Sequence, residues 1–159
     1  MGIEIERKFL VKSDAWRNLG KPVHYAQGYL VADAERTVRI RIAGKQAFIT
    51  IKGPSDGISR KEFEYEIPTD DAVEMLKMCP IPVIEKFRTK ISWEGKLWEV
   101  DEFKGDNESL VMAEIELQSA DEEFVVPPWI DVEVSGDVRY FNSYLSRNPY
   151  KNWGSSPTK

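Results

Sequence analysis

The chain has 159 residues, 42% hydrophobic and 31% charged, which suits one globular domain and excludes a disordered, collagenous or coiled-coil chain. Its net charge of −5 argues against nucleic-acid binding through the bulk field, so any anion must meet a local basic cluster. No apolar run approaches the ~18 residues of a membrane span, and a start carrying Glu4, Glu6, Arg7 and Lys8 is not a secretory signal, so a cytoplasmic protein is expected, without membrane or nucleic-acid partners. Cys79 and His24 are the only residues of their kinds, which removes disulfides, Cys/His zinc sites and nucleophiles built on a second histidine. The chemistry is left to carboxylates, Lys, Arg and oxygen-bound metals.

In chain order, alternation of apolar and charged residues predicts eight strands, over residues 3–9, 25–31, 37–43, 47–52, 61–67, 87–93, 97–103 and 111–118. Ala43-Gly44-Lys45 and Glu94-Gly95-Lys96 read as hairpin turns, and no linker leaves room for crossover helices. Short helices are expected over 14–19 behind Ser13, over 70–78 behind Thr69, and over 137–148 behind Asp137, with a turn through Phe124 started by Ser119 and Glu122. A single domain is expected over 1–150, with 151–159 as a flexible tail.

The charged face recurs from strand to strand. Glu4, Glu6 and Lys8 share a side opposite Ile3, Ile5 and Phe9; Arg39 and Arg41, Lys52, Glu62 and Glu64, Lys86 and Arg88, Asp101, and Glu114 and Glu116 repeat the pattern. One arrangement is an antiparallel sheet with its charged face in water. However, a few short helices cannot cover the apolar faces of eight strands. A closed barrel, apolar outside and charged within, satisfies the same pattern and removes the edges. Charges inside a tunnel lose several kcal/mol of solvation each unless they compensate one another or a ligand. Carboxylates at i and i+2 lie roughly 6.6 Å apart on one face and suit a hard cation, Mg²⁺ or Mn²⁺. The basic rows suit phosphoryl oxygens, with arginine able to bind them as a fork.

Of single residues, His24 and Cys79 are expected to be structural, Arg7 to point outward and pair with a surface acid, and Glu66, Arg60 and Lys90 to lie either in the tunnel or on its rim.

Glu4-Ile5-Glu6-Arg7-Lys8 is an ExExK run, and with Arg39-Ile40-Arg41, Lys52, Glu62-Phe63-Glu64, Lys86-Phe87-Arg88, Asp101, Glu114-Ile115-Glu116, Arg139-Tyr140 and Asn142 it resembles the CYTH superfamily of triphosphate tunnel metalloenzymes. The resemblance implies a mainly β (α+β) fold, an eight-stranded antiparallel closed barrel with a few short helices outside. The C-terminal helix would close one tunnel end, and Tyr29 would be a gate. It implies metal-dependent cleavage of inorganic triphosphate, a small-molecule substrate, to pyrophosphate and phosphate with Mg²⁺ or Mn²⁺. By the same resemblance Lys8, Arg39, Arg41, Lys52, Lys86, Arg88 and Arg139 contact phosphate, while Glu4, Glu6, Glu62, Glu64, Asp101, Glu114 and Glu116 hold metal. Glu4, Glu6, Lys8, Glu62, Glu64 and Lys86 would form the catalytic set. The His-Phe pair that precedes the ExExK run in the cyclase branch is missing, which points away from adenylyl cyclase; a nucleotide or other organic triphosphatase and a non-catalytic polyphosphate or nucleotide binder are the alternatives. The chain is expected to be a monomer or a homodimer.

Overall fold

The structure is a computed structural model that describes residues 2–153. All eight expected strands form: β1 (Gly2–Val11), β2 (Pro22–Ala32), β3 (Thr37–Ala43), β4 (Gln46–Lys52), β5 (Ser59–Ile67), β6 (Ile84–Trp93), β7 (Lys96–Phe103) and β8 (Val111–Glu116). They pair antiparallel in the order β5-β4-β3-β2-β6-β7-β8-β1, and a β1–β5 ladder closes the ring. The two expected hairpins form, with Gly44 at φ 61° and Glu94 and Gly95 at φ 48° and 81°, the left-handed backbone that tight two-residue turns between right-twisted strands require.

A ninth strand, β9 (Ile130–Glu133), was not expected. It lies between Pro127-Pro128 and Ser135-Gly136 and is too short to show a period of two. Its effect is to divide one edge of β1: Gly2 to Ile5 pair with β5, and Phe9 to Val11 pair with β9. Arg7, at the division, points outward to Glu133 at 3.1 Å.

The outer face is apolar and is covered in two ways. Helix α1 (Thr69–Lys77) lays Ala72, Met75 and Leu76 over Ile40, Ala47 and Leu30. It can approach β2 closely because position 28 is glycine; a Cβ there would lie 2.8 Å from Cys79 Sγ. Elsewhere irregular chain, not helix, does the covering: Trp16, Phe124 and Trp129 pack on Phe9, Ile91, Trp98 and Ile115. The expected helix over 14–19 is therefore a set of turns, with Trp16 buried against the barrel in its place. Thr69 does not cap α1 either. Pro68 holds the N-cap position and the Thr69 hydroxyl donates to the Lys45 carbonyl at 3.2 Å. The expected turn starts at Ser119, whose carbonyl accepts from the Glu122 N–H at 3.2 Å, but it ends there and does not run through Phe124.

Inside, the charged rows give way to apolar residues at one end. Leu10, two residues beyond Lys8, joins Ile84, Phe103 and Met112, which stand two residues from Lys86, Asp101 and Glu114. Leu145 from α2 (Asn142–Arg147), with Tyr140, Tyr150 and Trp153, fills this end. The expected single helix over 137–148 is broken here: Asp137 caps a 3₁₀ turn over Val138–Tyr140, and Phe141 is extended (φ −75°, ψ 137°) before α2 begins. The break lets Phe141, Asn142 and Ser143 face the barrel interior. Of the expected tail over 151–159, Lys151 and Asn152 belong to a 3₁₀ turn (Tyr150–Asn152) and Trp153 packs on Tyr140 and Tyr150 at ring separations of 5.4 and 5.1 Å, while 154–159 lie outside the described residues. Among the described residues no helix is long and apolar enough to cross a membrane.

Candidate active site

The barrel encloses a cavity of about 300 Å³ whose wall carries charge from every barrel strand but β2, which contributes Tyr25 and Tyr29; β7 contributes Glu99, while its Asp101 is not on the wall. Strand alternation places these side chains, because each inward residue stands two positions from the next. Glu4, Glu6 and Lys8 come from β1, Arg39 and Arg41 from β3, Lys52 from β4, Glu62 and Glu64 from β5, Lys86 and Arg88 from β6, and Glu114 and Glu116 from β8. Tyr29 of β2 is buried in the wall, its hydroxyl 3.5 Å from Gln27 Nε2.

The charges fall into two groups, one mostly acidic and one mostly basic. On one side, Lys52 Nζ lies 2.8 Å from Glu4 Oε1, an ion pair without hydrogen-bond geometry, and 3.9 Å from Glu62. Glu6 and Glu116 are direct cross-strand partners, and among the described residues neither is in an ion pair. Burial, and then the charges of Glu4, Glu62 and Glu6, push the Glu116 carboxyl up to about 7.

On the other side lie the cations. Lys86 is buried, with Nζ 2.7 Å from Asp101 Oδ2 and donating to Asn142 Oδ1 at 2.8 Å. Burial brings it down to about 7, with Asp101 opposing and Arg88 and Arg41 assisting. Arg88 forks onto Asp101 at 2.7 and 2.9 Å and reaches Glu99 at 3.1 Å. Arg39 Nη2 donates to Thr50 Oγ1 at 3.1 Å and lies 3.4 Å from Glu64. Lys8 stands 3.4 Å from Glu114, donates to the Tyr140 carbonyl at 3.1 Å and lies 5.2 Å from the Phe141 ring; burial lowers it, but Glu114, Glu6 and Tyr29 leave it raised overall. Arg41 differs: it has no acid in ion-pair range among the described residues. Its Nε donates to Gln27 Oε1 at 2.9 Å and its guanidinium lies 4.9 Å from the Tyr25 ring. Burial, Arg39 and Arg88 push it down to about 9, so it is still a cation at neutral pH.

Two residues expected at the site are not on this wall. Asp101 is buried behind the wall, with both oxygens in contact with Arg88 or Lys86. The Arg139 guanidinium folds back on Asp137 at 2.6 to 3.1 Å and stacks on Tyr140 and Trp153, outside the cavity. Glu66 also stays off the wall, whereas Arg60 and Lys90 are on it. The sequence pattern does not single out Glu99, although it stands two residues before Asp101, nor Gln27, a neutral residue among charged rows.

The site's oxygen donors suit a hard divalent cation. Among the described residues no three acids already stand at ligating positions, but the mutual repulsion that raises Glu116 is what a cation between Glu4, Glu6, Glu62 and Glu116 would relieve. The donor chemistry therefore fits such an ion, held by members of that group, where it would neutralise phosphoryl oxygens and lower the pKa of a water.

The sequence is similar to two curated proteins along nearly its full length. It is 53% identical over 154 residues to the inorganic triphosphatase of Acetivibrio thermocellus, covering 96% of this chain and 99% of that one. It is 35% identical to the inorganic triphosphatase of Nitrosomonas europaea, covering 90% and 96%. Among solved structures, the crystal structure of an inorganic triphosphatase superposes with a TM-score of 0.64 at 33% identity, covering 90% of this chain and 93% of that one. The CYTH domain model matches residues 2–141, the whole barrel and the 3₁₀ turn that follows it, and the chain belongs to the CYTH family.

Proposed function

We propose that this chain hydrolyses inorganic triphosphate to pyrophosphate and phosphate inside the barrel with the help of Mg²⁺ or Mn²⁺, in the cytoplasm. The observation that carries this reading is uncompensated charge of both signs in one cavity: among the described residues Arg41 is a half-buried cation with no acid in ion-pair range, and Glu6 and Glu116 are acids in no ion pair. A polyanion accompanied by a divalent cation compensates both at once. The near-full-length similarity to inorganic triphosphatases supports the same substrate.

Phosphoryl transfer asks for charge neutralisation, in-line positioning and an oriented water more than for a strong base. Arg39, Arg41, Lys86, Arg88 and Lys8 bind the phosphoryl oxygens, with the guanidinium forks fixing their orientation. Asp101 holds Arg88 and Lys86 in place through three contacts of 2.7 to 2.9 Å. α2 and Phe141 close one end of the barrel, so the phosphate chain enters from elsewhere and is excluded from water at its inner end. A carboxylate of the Glu4, Glu6 and Glu116 group accepts the proton of the attacking water.

The test is phosphate release from triphosphate, ATP and pyrophosphate with Mg²⁺, Mn²⁺ or EDTA, for wild type and Glu6→Gln. Metal-dependent release from triphosphate that Glu6→Gln abolishes is the expected result. Tight triphosphate binding without release would make the protein a binder, and release confined to ATP would replace the inorganic substrate by a nucleotide.

A further inference from the structure

Gln27 is fully buried on the inward face of β2, between Tyr25 and Tyr29. A buried primary amide needs partners at both ends, and this one has them. Its Oε1 accepts from Arg41 Nε at 2.9 Å, and its Nε2 donates to Asn142 Oδ1 at 3.0 Å. The same Asn142 oxygen accepts from Lys86 Nζ at 2.8 Å. The amide orientations are forced, because guanidinium and ammonium groups only donate. Asn142 must turn its oxygen to Lys86, Gln27 must turn its nitrogen to that oxygen, and the Gln27 oxygen is left for Arg41.

The geometry points to Gln27 and Asn142 as a positioning pair that fixes Arg41 and Lys86 relative to each other and ties the helical end-closure to both. The inference rests on the reading of these two cations as phosphate contacts. Arg41 spends only Nε on the pair, so its terminal nitrogens stay available; Lys86 spends one of three protons on Asn142 and one on Asp101, so a third remains. The pair is neutral, and that matters. A carboxylate at either position would make the same contacts to a cation and cancel the charge that an anionic ligand needs.

The experiment compares wild type, Asn142→Ala, Gln27→Met, the double variant and Asn142→Asp. Triphosphate affinity is measured by calorimetry in EDTA, KM and kcat with Mg²⁺, and folding by thermal melting. Each single truncation is expected to raise Kd and KM about tenfold with kcat within about twofold, and the double to do no more than the worse single, because either breaks the same chain. Asn142→Asp keeps an acceptor for both donors, so it is expected to melt like wild type yet bind triphosphate more weakly, which a purely structural role would not produce. Single truncations that leave Kd and KM unchanged, effects that multiply in the double, or an Asn142→Asp variant that binds as wild type would each overturn the positioning role. Absence of triphosphate binding by wild type would instead sink the functional reading, and the pair's role with it.

Discussion

Glu6 of β1 and Glu116 of β8 face each other across a ladder as direct partners, two like charges where a cross-strand pair ordinarily favours opposite ones. Burial first, and then the charges of Glu4, Glu62 and Glu6, hold the Glu116 carboxyl at about 7 against an ordinary 4.5, so it stays protonated over part of the neutral range and the repulsion is eased. Between these values the native protein binds a proton that the unfolded chain has released, so stability must fall as pH rises. The metal-free protein is expected to lose melting temperature from about pH 5 to pH 7, and Glu116→Gln to flatten that slope. Because Glu116 is exposed to solvent, screening keeps the effect modest. Parallel melting curves for wild type and variant in EDTA would contradict it.

Lys86 acts in the next pH window and with the opposite sign. Its native value of about 7 lies below the ordinary 10.5, so the unfolded chain holds the extra proton between them and this group adds stability as pH rises. A bound polyanion favours the charged lysine and raises its pKa, so binding takes up a proton. Calorimetric titration of triphosphate at pH 8 in EDTA, repeated in buffers of different ionisation enthalpy, is expected to show proton uptake in wild type and less in Lys86→Met. Affinity should weaken as pH climbs above about 7. Heats independent of buffer would remove Lys86 from the binding site.

Asp101 separates a cation-orienting acid from a metal ligand. Its carboxyl is held well below the usual range by Arg88 and Lys86, which outweigh its burial. Asp101→Asn leaves two buried cations short of their counter-charge, a loss of ~3–5 kcal/mol for a broken buried pair. Urea unfolding should register it at pH 7, while Mg²⁺ affinity, followed by calorimetry on the folded fraction, should stay near wild type. A variant of normal stability that no longer binds Mg²⁺ would restore Asp101 to the metal.

The barrel was legible in the sequence because its alternation is inverted: charges repeat on one face of every strand, and too little helix exists to cover the other. The same parity rule delivers the inward side chains of β1, β3, β6 and β8 without reference to any relative. It fails where function is carried by neutral or short elements. Gln27 has no charge to stand out, Thr50 holds Arg39 and Glu64 by a hydroxyl, and β9 spans only Ile130–Glu133. Parity also cannot distinguish Asp101 from the other inward acids, since its commitment to Arg88 and Lys86 is a matter of register between β6 and β7. Arg139 shows the limit of motif matching, because an ion pair with Asp137, two residues away, turns its guanidinium outward.

That contrast gives the last prediction. Arg41 and Arg139 were both expected to touch phosphate, yet of the two only Arg41 faces the cavity, where Gln27 fixes one edge of its guanidinium and no acid among the described residues lies in ion-pair range. Losing a charge-assisted contact of ~1.5–3 kcal/mol corresponds to roughly 10- to 100-fold in affinity, so Arg41→Met should raise the triphosphate KM by that factor. Arg139 is about half exposed and pairs with a neighbour at the surface, an interaction worth little by itself. Arg139→Met is therefore expected to leave KM within about threefold and to cost at most a few degrees of melting temperature by loosening the 3₁₀ turn before α2. Steady-state kinetics on the two variants side by side decides the matter: equal increases in KM would mean that Arg139 swings from Asp137 into the cavity when triphosphate binds.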